Sequence, residues 1–263
     1  MKRRDFIAAT ALAGAVPLTT VAAAAAQRGP GREYYELRKY QLLGSGQRRR
    51  LDAFLRDVAL PAWNRLDINP VGVFTVVYGP NRPTVYVLLP HKSLESFAAA
   101  DTRLMADADY LKGGADFLDL PPSDPPYVRI ESSLMAAFMK LPSLVVPEGA
   151  AEQRSRIFEL RTYESHNKIK AKKKIEMFNE GGEIAIFLKT GLKPVFFGET
   201  LIGPNMPNLT YMLVFDDMVQ RDASWPVFSR SPEWRKLSAD PAYADTVSNI
   251  TDIFLRPARY SQI

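Results

Sequence analysis

The string YELRKY (Tyr35–Tyr40) returns as FELRTY (Phe158–Tyr163), 123 positions later. The match continues beyond it. Gly79-Pro80-Asn81-Arg82-Pro83 is answered by Gly203-Pro204-Asn205-Met206-Pro207 at an offset of 124, and Tyr86-Val87-Leu88-Leu89 by Tyr211-Met212-Leu213-Val214 at 125. Ala106-Asp107 and Tyr110 correspond to Ala239-Asp240 and Tyr243 at 133. Ordered matches whose offset grows slowly mark a duplicated unit with short insertions in its loops. A length of 263 residues leaves room for two ordinary domains behind a leader.

Each copy has the same coarse order. An alternating strand opens it, Tyr34–Leu42 or Ile157–Glu164. A helix follows. In the first copy Leu51, Phe54, Leu55, Val58 and Ala62 form one apolar face, and Pro61 is expected to kink or end it near Leu60. In the second, Ala171, Ile175 and Phe178 serve that role, and Gly181-Gly182 weakens it. Two strands come next, Val71–Tyr78 with Thr84–Leu89 and Val195–Ile202 with Leu209–Phe215, each pair joined by a Gly-Pro-Asn turn. A second helix spans Ser93–Leu104 or Pro226–Leu237, the latter with a strong start signal at Ser231-Pro232-Glu233. Tyr127–Glu131 and Asn249–Arg256 close the copies. The β-α-β-β-α-β order predicts an α+β protein of two tandem ferredoxin-like units, residues 33–140 and 156–263, with Leu141–Ser155 as linker.

In a strand, alternate residues share a face. Glu36, Arg38 and Tyr40 therefore lie together, as do Glu159, Arg161 and Tyr163, and the sequence reading places both rows on the face away from the helices. Two outcomes stay open for that face. It meets water, or the two sheets close on each other as one barrel with the Glu, Arg and Tyr rows lining a shared interior. The second is adopted, because the strands also bring Phe74 or Val73, Phe196 or Phe197, and Tyr86 or Tyr211 to that face. The six residues become the candidate site, with the tyrosines as proton donors, the arginines as anion holders and the glutamates as bases.

The opening strand, the helix start Ser231-Pro232-Glu233-Trp234-Arg235-Lys236-Leu237 and the paired Gly-Pro turns resemble the NIPSNAP family. That resemblance implies membership of the wider group of dimeric α+β barrels, here built within one chain. The second half matches over nearly its whole length. The first departs around Ala99–Met105, where the Ser-Pro-Glu-Trp start is missing. The resemblance brings no catalytic residues with it.

Other chemistry is thin. There is no cysteine, so disulfides, thiolate catalysis and Cys-ligated metals are excluded, and only two histidines stand in the chain. His166 follows the second opening strand and is read as structural or capping. His91 follows Pro90 and is read as solvated. Lys168, Lys170, Lys172, Lys173 and Lys174 read as a solvated helix face, and the three tryptophans as packing residues. The net charge of +5 is too small to argue for nucleic acid. The glycosylation-type triplets at Asn208 and Asn249 fall in strands and are discounted.

The chain starts MKRRDFIAATALAGAV, with Lys2, Arg3 and Arg4 before a short apolar run and a small-residue stretch at Ala22–Ala26. Arg3-Arg4-Asp5-Phe6-Ile7 resembles a twin-arginine export signal. Residues 1–26 are read as that signal and 27–32 as a tether, which predicts a bacterial periplasmic or extracellular protein. The expected role is binding or transforming a small organic molecule in the inter-sheet cavity, without cofactor or metal. Any enzymatic activity would be of a cofactor-free monooxygenase or isomerase type. A non-catalytic binding or scaffold module and a haem-binding barrel are the alternatives. A homodimer of the fused pair is the one macromolecular partner considered. Neither nucleic acid nor stable membrane insertion is expected.

Overall fold

The computed structural model of the protein describes residues 31–77, 83–152 and 154–263. The expected signal, most of the tether and the turn at Gly79-Pro80-Asn81 lie outside the described residues. The first half runs β1 (Tyr34–Gln41), α1 (Ser45–Phe54), a π-helical turn (Leu55–Ala59), α2 (Leu60–Arg65), β2 (Gly72–Val76), β3 (Thr84–His91), α3 (Leu94–Met105), α4 (Ala108–Leu118) and β4 (Arg129–Ala137). The second runs β5 (Ile157–Glu164), α5 (Lys168–Asn179), α6 (Glu183–Lys189), β6 (Lys193–Ile202), β7 (Asn208–Phe215), α7 (Met218–Arg230), α8 (Pro232–Ser238), a 3-10 turn (Pro241–Tyr243) and β8 (Asn249–Pro257). Both are β-α-β-β-α-β units, as the repeat predicts.

The strands close into one antiparallel barrel in the order β1-β3-β2-β8-β5-β7-β6-β4. Each half supplies four neighbouring strands. The halves are joined by β2 against β8, at Phe74–Pro257 and Val76–Leu255, and by β4 against β6, from Leu134–Ile202 to Ala137–Gly198 with one bulge. Among the described residues each strand therefore has a neighbour on both sides.

Local signals explain most boundaries. Ser93, Asn167, Asp217 and Ser231 each accept a backbone N–H three residues ahead and start α3, α5, α7 and α8. The cap at Asp217 starts the helix eight residues before Pro226, which stands inside α7 rather than at its start. Pro61 does not end its helix. The π-turn just before it absorbs the irregularity, and the chain stays helical to Arg65. Gly182, at φ +88, ends the α5 region and opens α6, a helix of seven residues that the sequence pattern did not reveal.

The faces of the sheets are the reverse of the sequence expectation. Tyr35, Leu37, Phe158 and Leu160 point into the barrel, where they pack with Phe74, Leu88, Phe196 and Met212. Glu36, Arg38, Tyr40, Glu159, Arg161 and Tyr163 point outward and lie under the helices. On that side Tyr40 packs with Leu51, Leu55 and Trp63, and Tyr163 packs with Phe178 and Phe187. The physical reason is that both faces of each sheet are buried. Alternation separates the two sets but has no wet side by which to tell which is which.

The copies also align differently from the sequence expectation. Lys39 pairs with Tyr86 in the barrel, while Thr162 pairs with Thr210 and Arg161 with Tyr211. The structural offset here is therefore 124, not 125, and a one-residue slip sends Tyr86 inward and Tyr211 outward. His91 is the last residue of β3 and is buried at 1% exposure, not solvated. Pro90 is tolerated in that strand because β2 pairs β3 only as far as Leu88.

Candidate binding site

The six predicted site residues form two braces between sheet and helices. In the second half the Glu159 carboxylate is fully buried and accepts from Arg161 Nη1 at 3.0 Å, Arg221 Nε at 3.2 Å, Arg221 Nη2 at 2.8 Å and Trp225 Nε1 at 2.9 Å. Arg161 lies 4.6 Å from the centre of the Trp225 ring and pairs with Asp252 at 3.0 Å. The Tyr163 and Tyr211 hydroxyls share a hydrogen bond of 2.9 Å, and burial raises the pKa of both. In the first half Arg38 donates twice to Glu36, at 2.6 and 2.9 Å, and reaches Asp101 on α3 at 3.3 Å. Ser132 adds a bond to Glu36 at 2.8 Å. His91 Nε2 stands 3.8 Å from the same carboxylate, too far for a hydrogen bond. Burial alone would raise the Glu36 pKa, but the bonds from Arg38 and Ser132, with the His91 imidazole close by, hold it at about 2. Tyr40 is buried, and its pKa is raised by that burial. None of the six lines the cavity between the sheets described next.

A cavity does open between the sheets, at the end of the barrel where β1 and β5 finish. It measures about 290 Å³ and takes its walls from both halves. The register explains its lining. Lys39 stands beside Tyr86 and Glu131 on one wall. Thr162 stands beside Thr210 and Thr251 on the other. One layer deeper, Leu37 and Leu160 start the apolar packing that fills the rest of the barrel. Pro204 and Asn205 of the β6–β7 turn form part of the rim. Asn208 fixes that turn by donating to the carbonyls of Pro204 at 2.9 Å and Asn205 at 3.0 Å.

The polar groups of this mouth are partly engaged. Lys39 Nζ donates to Glu131 Oε2 at 3.3 Å, and Gln41 Nε2 donates to the other oxygen of Glu131. Thr162 and Thr210 share a hydrogen bond of 3.0 Å. The Tyr86 hydroxyl makes no hydrogen bond among the described residues, although the side chain is 6% exposed. Burial, with Glu131 nearby, pushes its pKa up to about 12, so at neutral pH it is a phenol able to donate. The site therefore offers an unengaged phenol, an ammonium–carboxylate pair and a threonine wall above an apolar floor.

Sequence reasoning overlooked these residues because it followed what the two strings share. YELRKY and FELRTY differ at two positions, Tyr35 against Phe158 and Lys39 against Thr162, and all four point into the barrel. The shared Glu, Arg and Tyr serve the same bracing task twice. The differing letters mark the interior. His166 is exposed beside the cap of α5, and neither histidine lines the mouth. Among the described residues no cluster of three or more His, Asp or Glu could hold a metal ion. No described helix is long and apolar enough to cross a membrane.

The chain matches the family described as NIPSNAP over residues 35–115 and 158–262, one segment in each half. No curated protein matches it. A structure from Lactobacillus acidophilus NCFM, provisionally named a monooxygenase, is similar over 86% of this chain and 94% of its own, at TM-score 0.55 and 8% identity. One from Fusobacterium nucleatum with the same provisional name covers 87% and 94%, at 0.53 and 8%. A NIPSNAP family protein of unknown function from Agrobacterium tumefaciens covers 41% of this chain and 93% of its own, at 24% identity and TM-score 0.35. At 8% identity the first two of these structures show a shared fold.

Proposed function

The chain belongs to the NIPSNAP family, and from that premise we propose that it holds a small polar organic molecule in the mouth between its two sheets. The observation that carries this reading is the Tyr86 phenol, nearly buried, unengaged and facing a cavity of about 290 Å³ that both halves wall. Cavities near 300 Å³ with a few placed polar groups over an apolar base are at the small end of ligand sites. Tyr86 donates to the ligand and Lys39 attracts an electron-rich end. The threonine wall supplies further hydroxyls. In this reading Glu36, Arg38, Tyr40, Glu159, Arg161 and Tyr163 hold the walls in place rather than touching the ligand.

Native mass spectrometry of protein purified from its own host tests this. The expected result is a mass adduct on the intact chain. Thr251→Trp is expected to remove it, because Thr251 is an exposed wall residue and an indole there fills the mouth without entering the core. Tyr86→Phe is expected to weaken binding about 2- to 10-fold, the loss of one neutral hydrogen bond. An adduct unchanged by both substitutions would place the ligand elsewhere.

We also propose that the protein works outside the cytoplasm, a reading supported by Lys2, Arg3 and Arg4 ahead of the short apolar run. Replacing Arg3 and Arg4 by lysine is expected to retain the unprocessed chain in the cytoplasm. Undiminished export of that variant would count against a twin-arginine route.

A further inference from the structure

The end of the barrel opposite the mouth carries a buried arginine with no direct ion-pair partner among the described residues, and Glu152 nearby only partly offsets the cost of its burial. Arg156 immediately precedes β5, on the same alternation as the inward-facing Phe158 and Leu160. It is 5% exposed, and its guanidinium carbon lies 5.7 Å from the Phe158 ring centre. Its Nε and Nη1 atoms are buried without a hydrogen-bond partner, and no ion pair to it forms among the described residues. A buried guanidinium left unpaired costs several kcal/mol, so such groups ordinarily meet a carboxylate. The repeat shows how this position is satisfied in the other half. Its counterpart is Glu33, which accepts the Leu144 backbone N–H at 2.7 Å and so holds the linker.

Arg156 lines two openings. One is a groove of about 400 Å³ between the linker and the α6–β6 turn, walled mainly by Val145, Val146, Leu188, Leu192, Pro194 and Val214. Glu148, Lys193 and Asp216 also reach this groove; Glu148 and Asp216 are exposed to solvent. The other is a cleft of about 110 Å³ that contains Arg154, Arg256 and Arg259 as well as Arg156. Positive charge therefore gathers on one side of Arg156 and apolar surface on the other.

We propose that this groove is a second binding site, for a small amphipathic carboxylate whose head pairs with Arg156 and whose apolar body lies between the linker and the α6–β6 turn. Nη2 is the guanidinium nitrogen of Arg156 that is not closed off, and a charge-assisted hydrogen bond from it suits a carboxylate. The site is separate from the mouth, at the other end of the strands, and does not depend on the reading given for the mouth.

Isothermal calorimetry and thermal unfolding of the full mature chain test it, with octanoate as probe, octan-1-ol as the uncharged control and inorganic phosphate as the anion without a tail. Octanoate is expected to bind at one site and raise the unfolding temperature, with octan-1-ol and phosphate much weaker. Arg156→Met is expected to weaken octanoate about 10- to 100-fold, the loss of a charge-assisted pair. The same variant is expected to unfold at the wild-type temperature or above, since it removes an unpaired buried charge. Lys39→Met, at the mouth, is expected to leave octanoate binding unchanged. The proposal is overturned if octan-1-ol or phosphate binds as tightly as octanoate, or if Arg156→Met binds undiminished. It is overturned too if affinity falls with Lys39→Met instead, or if Arg156→Met is markedly destabilised in the absence of ligand, which would give Arg156 a structural role.

Discussion

Glu36 and Lys174 show how single side chains are tied into the layer between sheet and helices. With its pKa held at about 2 against an ordinary 4.5, Glu36 stays ionised in the fold well below the pH at which it protonates in the unfolded chain. Its contribution, about 3 kcal/mol for such a shift, is complete above pH 4.5 and is lost as pH falls from there toward 2. Urea unfolding from pH 7 to pH 2.5 is expected to show this loss, and Glu36→Gln to flatten it. Lys174 departs from the sequence reading of a solvated lysine face. It is buried, donates to Glu183 at 2.7 Å and lies 4.6 Å from the Phe178 ring centre. Its counterpart in the first half is Leu51, which is also buried. Lys174→Met strands a buried carboxylate and is expected to cost about 3–5 kcal/mol, most of it recovered when Glu183→Leu is added. Guanidinium titration of the single and double variants measures both.

At the level of helices and strands, start signals were more legible than stops or faces. The opening strands, the two inner hairpin strands, the Ser93 start and the Ser231-Pro232-Glu233 start were all readable, because alternation and capping are local chemistry. Ser231→Ala is expected to cost about 1 kcal/mol through α8 alone, detectable as a shift in the urea midpoint without a change in slope. Two helices were not legible. α6 is seven residues long, and α4 carries Gly113 and Gly114 in its interior, where propensity argues against a helix. Gly114 is there for close packing, since a Cβ would stand 3.1 Å from the Phe54 ring and 2.7 Å from Leu118. That reason is tertiary and has no local trace. The same limit explains the site. The pattern separated Lys39 and Thr162 from Arg38 and Arg161, but only the placement of the helices decides which set meets the cavity.

Across the molecule, the two halves depend on each other through the barrel interior. Tyr35 packs on Phe196 with ring centres 5.1 Å apart, and Phe74 on Phe158 at 4.9 Å, each pair crossing from one half to the other. A half expressed alone would leave that apolar face open to water, a patch of the kind that drives association. Residues 156–263 alone are therefore expected to self-associate on size-exclusion chromatography, whereas the full chain unfolds in one cooperative step by two independent probes. Two separate transitions in the full chain would show that the shared interior contributes little.

The mouth has one wall of Lys39, Tyr86 and Glu131 and another of threonines. A barrel assembled from two identical subunits writes every mutation on both walls at once. Fusing the copies frees this one to edit each side separately, so a guest with two unlike ends can be gripped in a single orientation.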